Sequence, residues 1–381
     1  MKRILLALIL PVFFLAGCLP NMNQQVEVVP EGNEDNTEET AIVPKYQISD
    51  EYYRTLTPFK PSAARGLTIS RMNSRFNIDE LEEGLFRIAQ QTFPTEDYIF
   101  QEGQYLDEAT VTRWLGRKSS DNEEGLNPTL PNRGKNYNTK EDYENNPLYL
   151  AHILEHNYLV MSDNKVKLGG MAIGLALNSV YYFRVTYNDG TIDNFSVKID
   201  EDKIESEGKK LAATIISRIR QMEGLENIPI TIGLYSQEEK DSIVPGNYFA
   251  YAISKKGNDL EWHNWNEQYV IFPSSEAKKN HQDDSNRFAL FQDQVNKYFP
   301  DHNGIVGKGL YVNGNLQLLN IDITFQFHGK AELIGFVQYV AGLLVEHYPN
   351  IATEVNIKSV NGQEALILLD NTMDEPFVHI Y

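Results

Sequence analysis

The 381-residue chain carries 53 Asp and Glu against 34 Lys and Arg, a net charge of −19, and a single cysteine. That balance opposes the basic footprint that phosphate contacts require, so nucleic acid is excluded as a partner, and one thiol excludes a disulfide framework. With 41% hydrophobic residues, stability has to come from a buried core, and the length suits two domains.

Lys2 and Arg3 precede an uncharged apolar run over residues 4–17, broken by Pro11 and closed by Ala16 and Gly17. This is the layout of a secretory signal peptide. The run falls short of the roughly 20 apolar residues that span a bilayer, and its small end residues suit a peptidase. Leu15, Ala16, Gly17 and Cys18 form a lipobox. The pattern predicts that the Cys18 thiol is alkylated by diacylglycerol and that signal peptidase then cleaves in front of it. The expected partners at this end are signal peptidase during processing and membrane lipid afterwards, since two acyl chains anchor stably where one does not. The expected location is the outer face of the cytoplasmic membrane. An ordinary secretory signal with an incidental cysteine is the alternative.

Residues 18–45 read as a lipidated, disordered tether. Residues 19–44 hold six acidic side chains, no Lys or Arg and no aromatic ring, too little apolar surface to order the segment. As a 26-residue coil it would reach roughly 30 Å.

Residues 46–160 read as mainly helical. Asn77 and Glu80 suit a capping box for a helix that buries Leu81, Leu85 and Ile88 and stops at Phe93-Pro94. Asp107 suits the cap of a second helix carrying Val111, Trp114 and Leu115. A long loop rich in Asn, Asp, Gly and Pro spans residues 119–146, and Asn146-Pro147 predicts a third helix beyond it.

From Gly169 onward strands dominate. Asn188-Asp189-Gly190, Asn313-Gly314 and Asn361-Gly362 each sit between two β-branched or aromatic runs, as hairpin turns do. The order strand, strand, helix, strand, strand recurs, with helices predicted over residues 209–222 and 331–347. The expected fold class is therefore α+β: a helical N-terminal region followed by two related antiparallel-sheet-plus-helix units, at residues 161–255 and 256–381. The second begins with a connector whose helix carries Phe288, Phe291, Val295 and Phe299.

Two constellations could carry chemistry. His152, Glu155 and His156 form H-x-x-E-H, which on a helix would place both imidazoles on one face for zinc, with Glu155 polarising a water. A third ligand is needed, and Glu223 and Glu226 are only candidates by chain distance. The competing reading is a structural histidine pair, and with it neither a metal nor a cofactor nor a catalytic residue is expected. Trp262, Trp265 and Tyr269, beside His263, could instead form a stacking surface for a ligand. The glycines of GIVGKGLYVNG lack the lysine-serine ending of a phosphate loop and read as close sheet packing.

Taken together, LAGC, YIFQEGQYLDEATVTRWLGRKS followed by GLNP, YVIFPSSEA, and YFPDHNGIVGKGLYVNGNLQLLNIDITFQFHGKAELIGFVQYV resemble the CamS family of sex-pheromone precursor lipoproteins of Gram-positive bacteria. The resemblance implies a surface lipoprotein without assigned catalysis, whose discarded signal peptide yields a short apolar pheromone. In such proteins the pheromone is the heptapeptide before the lipobox cysteine, patterned on Ala-Ile-Phe-Ile-Leu-Ala plus a small residue. Here Phe13, Leu15 and Ala16 match that pattern and Pro11 departs from it.

Overall fold

The computed structural model describes residues 23–28, 39–134, 137–162, 165–298, 304–370, 373 and 375–381. The predicted signal peptide, the lipobox residues Leu15, Ala16 and Gly17, the lipidation site Cys18, and Phe299 lie outside the described residues.

The chain builds two six-stranded units of one topology. Ahead of the first come β1 (Asn23–Val28), β2 (Glu39–Pro44), β3 (Arg54–Thr55), α1 (Arg65–Arg71) and α2 (Arg75–Ala89). The first unit then runs β4 (Ile99–Glu102), α3 (Glu108–Leu115), α4 (Lys140–Asn145), β5 (Leu150–Ser162), β6 (Lys165–Asn178), a hairpin of β7 (Val180–Thr186) and β8 (Ile192–Lys198), α5 (Glu201–Ile219), β9 (Ile230–Gln237), β10 (Asn247–Ser254) and β11 (Glu261–Asn264). The second runs β12 (Glu267–Phe272), α6 (Ser275–Asn280), α7 (Gln282–Tyr298), β13 (Gly304–Val312), β14 (Asn315–Thr324), α8 (Lys330–His347), β15 (Ala352–Ser359), β16 (Gly362–Leu369) and β17 (Phe377–Ile380).

Strand for strand, β4-β5-β6-β9-β10-β11 matches β12-β13-β14-β15-β16-β17. In each unit the central pair, β6 with β9 or β14 with β15, is parallel and every other pair antiparallel. A parallel neighbour needs a crossover. The helices α5 and α8 supply it, which is why the hairpins turning at Gly190 and Gly314 are each followed by a long helix. The purely antiparallel expectation misses this pair. The β7-β8 hairpin, read from sequence as part of the first sheet, is a separate two-stranded ribbon that buries Tyr181, Phe183 and Val185; β5 and β6 are the counterparts of β13 and β14.

Residues 46–160 hold four helices and more helix than strand, as expected, and they also supply β3, β4 and β5 to the first sheet. One other expectation is corrected. The tether is ordered at its end: β2 pairs with β1, Ile42 bonds Thr57, and Ala41 and Val43 are buried, because the apolar run at 41–43 interrupts the polar composition.

The first sheet is covered on both faces. Helices α3 and α5 pack on one side with Trp114, Leu115, Ile215 and Ile219. On the other, α2 lays Leu81, Leu85 and Ile88 on β6, β9 and β10. Its cap is Ser74, whose Oγ accepts the Asn77 N–H at 3.2 Å, so the helix starts three residues earlier than the capping-box reading had it. Close approach is possible because a Cβ on Gly84, Gly174 or Gly233 would lie 2.6–2.7 Å from the Tyr248 ring or hydroxyl. Tyr248 fills that space and donates to Leu81 O at 2.7 Å. The second sheet buries one face under α7 and α8, with Phe288, Phe291, Phe336 and Val340 at its centre.

Candidate functional site

The H-x-x-E-H residues lie in strand β5. The stretch around them is rich in apolar and aromatic side chains buried from both faces, so sheet packing overrides the helix start that Asn146-Pro147 suggests. Four strand residues put the two imidazoles roughly 13 Å apart along the chain, too far for one ion with ligand bonds of about 2 Å. Glu155 points to the opposite face. No group of three or more metal-ligating side chains is found among the described residues.

Each of the three has another task. Glu155 is buried, and its carboxylate accepts the N–H groups of Gln104 at 3.0 Å, Tyr105 at 3.1 Å and Leu106 at 2.7 Å. It holds the turn by which the chain leaves β4. Burial raises the Glu155 pKa, and these backbone donors oppose the rise. His156 lies between Phe86 and Phe100, ring centroids 4.6 and 4.9 Å away, and burial lowers its pKa to about 3. His152 meets Thr68 Oγ1 through Nε2 at 2.9 Å. Its Nδ1 has no hydrogen-bond partner among the described residues, and burial, with a smaller contribution from Arg71, lowers its pKa to about 4. Both rings are neutral at physiological pH.

These residues form one wall of a cavity of about 530 Å³ between β5, α1 and α2. Ala64, Ile69, Ile78, Leu106, Val111 and Leu154 supply an apolar lining. Charges of both signs ring it. Glu102 accepts the Ser62 N–H at 2.7 Å and lies 3.5 Å from Arg65, and Arg75 sits 3.7 Å from Asp79. Burial, then the nearby Glu102 carboxylate, raises the Glu82 pKa.

The predicted aromatic surface is dispersed. Trp262 packs on the α5 side of the sheet with the Lys209 ammonium 5.3 Å from its ring. Trp265 packs on the α2 side, edge-on to Tyr251. Tyr269 donates to Glu80 Oε2 at 2.6 Å. That bond belongs to a buried network which sequence reasoning missed. Arg87 on α2 donates twice to Glu267 on β12, at 2.8 and 2.9 Å, and also bonds Glu80, tying the two units together. Burial raises Glu80 to about 6 despite Arg87 and Tyr269. The seven-residue spacing of Glu80 and Arg87 along one helix face was a visible signal. Their partner in β12 was not.

Residues 59–375 match the family model described as CamS sex pheromone cAM373 precursor. The chain belongs to the CamS family. The fold agrees. The crystal structure of a sex pheromone precursor from Lactobacillus salivarius subsp. salivarius UCC118 is 33% identical, with a TM-score of 0.79 over 88% of this chain and 98% of that one. The C-terminal domain of the sex pheromone staph-cAM373 precursor from Staphylococcus aureus is also 33% identical, with a TM-score of 0.69 over 82% of this chain and 99% of that one. No match was found among curated proteins. CamS membership thus stands on the folded body, independently of the residues before Asn23.

Proposed function

We propose that this CamS protein is a lipoprotein held on the outer face of the cytoplasmic membrane by a diacylglyceryl group on Cys18, and that its body binds a ligand without catalysing a reaction. The observation that carries the anchoring is the placement of LAGC at the end of a charged-then-apolar leader. No helix among the described residues is long and apolar enough to cross a membrane, which is compatible with a lipid anchor. Support for a binding role comes from the cavity: it is mostly apolar, has a few polar groups, and its histidines are neutral and too far apart to share a metal. Cleavage before Cys18 releases residues 1–17, which hold the pheromone-like segment 11–17; Pro11 removes a backbone donor and stiffens the chain at the trimming point, so trimming shifts away from the Leu10-Pro11 bond.

Cys18→Ala tests the anchor. The variant should leave the membrane fraction or accumulate as an uncleaved precursor. Processed protein that stays on the membrane would refute the lipobox.

A further inference from the structure

The inference concerns what the cavity takes, and it rests on the reading of the body as a binding module. The cavity is open to water along α1 and α2, where Ile69 is 75% exposed and Thr68, Ile78 and Leu154 are half-buried. A ligand entering there meets apolar surface, and removing that surface from water favours its association. The volume of about 530 Å³ suits a small molecule.

The charge of the lining is unbalanced. The carboxylates of Asp79, Glu82, Glu102 and Glu155 face only the guanidinium groups of Arg65 and Arg75, and the neutral rings of His152 and His156 add no positive charge. Arg75 lies beside Asp79, Arg65 lies beside Glu102, and main-chain N–H groups take up Glu155. Glu82 is left over. No ion pair or hydrogen bond engages its carboxylate among the described residues, and the attraction of Arg65 is smaller than the combined effect of burial and of Glu102 beside it.

A second observation points the same way. His152 reaches from β5 toward α1, where Nε2 meets Thr68 Oγ1 at 2.9 Å. The residue is 1% exposed, and its Nδ1 has no hydrogen-bond partner among the described residues. With the ring proton on Nε2 and donated to Thr68, Nδ1 is an acceptor. Surplus negative charge and an unfilled acceptor thus line one cavity.

We propose that this cavity binds a small aliphatic amine, its hydrocarbon body on Ile69, Ile78 and Leu154 and its ammonium group at the carboxylates of Glu82 and Glu102. An ammonium complements the lining in two respects, since it supplies positive charge and carries N–H donors without an acceptor. A carboxylate of the same length fails on both counts, and an alcohol matches only the apolar part.

The test uses the chain from residue 19 onward, which keeps every described residue, and three probes of one length: octylamine, octanol and octanoate. Calorimetry reads affinity, and NMR of histidine-labelled protein reads the His152 ring. Octylamine should bind saturably, about tenfold or more tighter than octanoate, and should shift the His152 resonances. Glu82→Gln should weaken octylamine by about fivefold, as loss of a partly exposed ion pair does. Glu346, an exposed carboxylate on α8, provides the control: Glu346→Gln should bind octylamine as the wild type does, which separates the cavity from the general attraction of a chain of net charge −19 for cations. Octanol or octanoate binding as tightly as octylamine, an unaffected Glu82→Gln, an equal loss in Glu346→Gln, or binding that leaves His152 unmoved overturns the amine proposal while the binding reading stands. No saturable binding of any probe at millimolar concentration overturns both.

Discussion

The two units of this protein share a strand order, a parallel central pair and a crossover helix, and differ in what they bury. Among the described residues, nearly all buried polar and charged side chains, from Asn77 and Glu80 through His152, Glu155 and His156 to Arg220 and Gln237, lie in the first unit and the segment leading into it. The second contributes only Glu267, which faces the first, and Thr353. Its sheet leaves one face to solvent, with Asn320, Asp322, Asn356 and Lys358 along it, whereas the matching face of the first lies under α1 and α2. Buried polar groups are expensive unless paired. Of two copies of one fold, the second is a conventional hydrophobic sandwich of helices on sheet, and the first has been roofed over to enclose a cavity.

The junction offers the largest test of that contrast. Arg87→Met leaves Glu80 and Glu267 buried without their cation, and should cost about 3–5 kcal/mol. Because the network bridges α2 and β12, chemical denaturation should then split into two transitions. One transition with unchanged midpoint would mean the units are joined by something else. The close seating of α2 comes next. In Gly233→Ala the new Cβ meets the Tyr248 ring at 2.7 Å, and overpacking of this kind costs about 1–3 kcal/mol; thermal unfolding would read it. The smallest effect belongs to the second unit's open face. Lys358 lies 2.6 Å from Asp322 with both side chains about half exposed, and an exposed pair is worth about 0–1 kcal/mol. Lys358→Met should be near neutral, and a loss as large as that of Gly233→Ala would show that this face is packed against something in solution.

What the sequence disclosed follows the same division. In the second unit, local signals and tertiary structure agree. Asn313 and Gly314 adopt the positive φ values of 52° and 79° that a tight hairpin requires, and α8 and α7 bury the predicted faces. In the first unit, long-range contacts override local ones. Asn146-Pro147 reads as a helix start, yet Asn127 captures Leu150 from both sides and the chain enters a sheet. His152 and His156 read as a pair on a helix and instead lie four residues apart along one strand. The cavity could not be read at all, because α1, α2, β4 and β5 come from segments up to about ninety residues apart. The charge network was half legible, since Glu80 and Arg87 share a helix while Glu267 lies 180 residues beyond Arg87.

The enclosure of neutral histidines in the first unit can be tested through pH. His156 has a folded pKa of about 3 against an ordinary value of about 6.5. Between those values the unfolded chain binds more protons, so His156 lowers stability as pH falls, and the loss is absent above pH 6.5. Glu80, raised to about 6, acts in the opposite sense, as does Glu155. These carboxyl contributions cancel when the wild type is compared with His156→Phe. The decisive measurement is the unfolding free energy of both proteins at pH 7 and pH 5. The ring enclosed by Phe86 and Phe100 predicts that the variant gains about 2 kcal/mol on the wild type between the two pH values. Parallel pH profiles would mean that His156 is open to water and that the first unit encloses no such site.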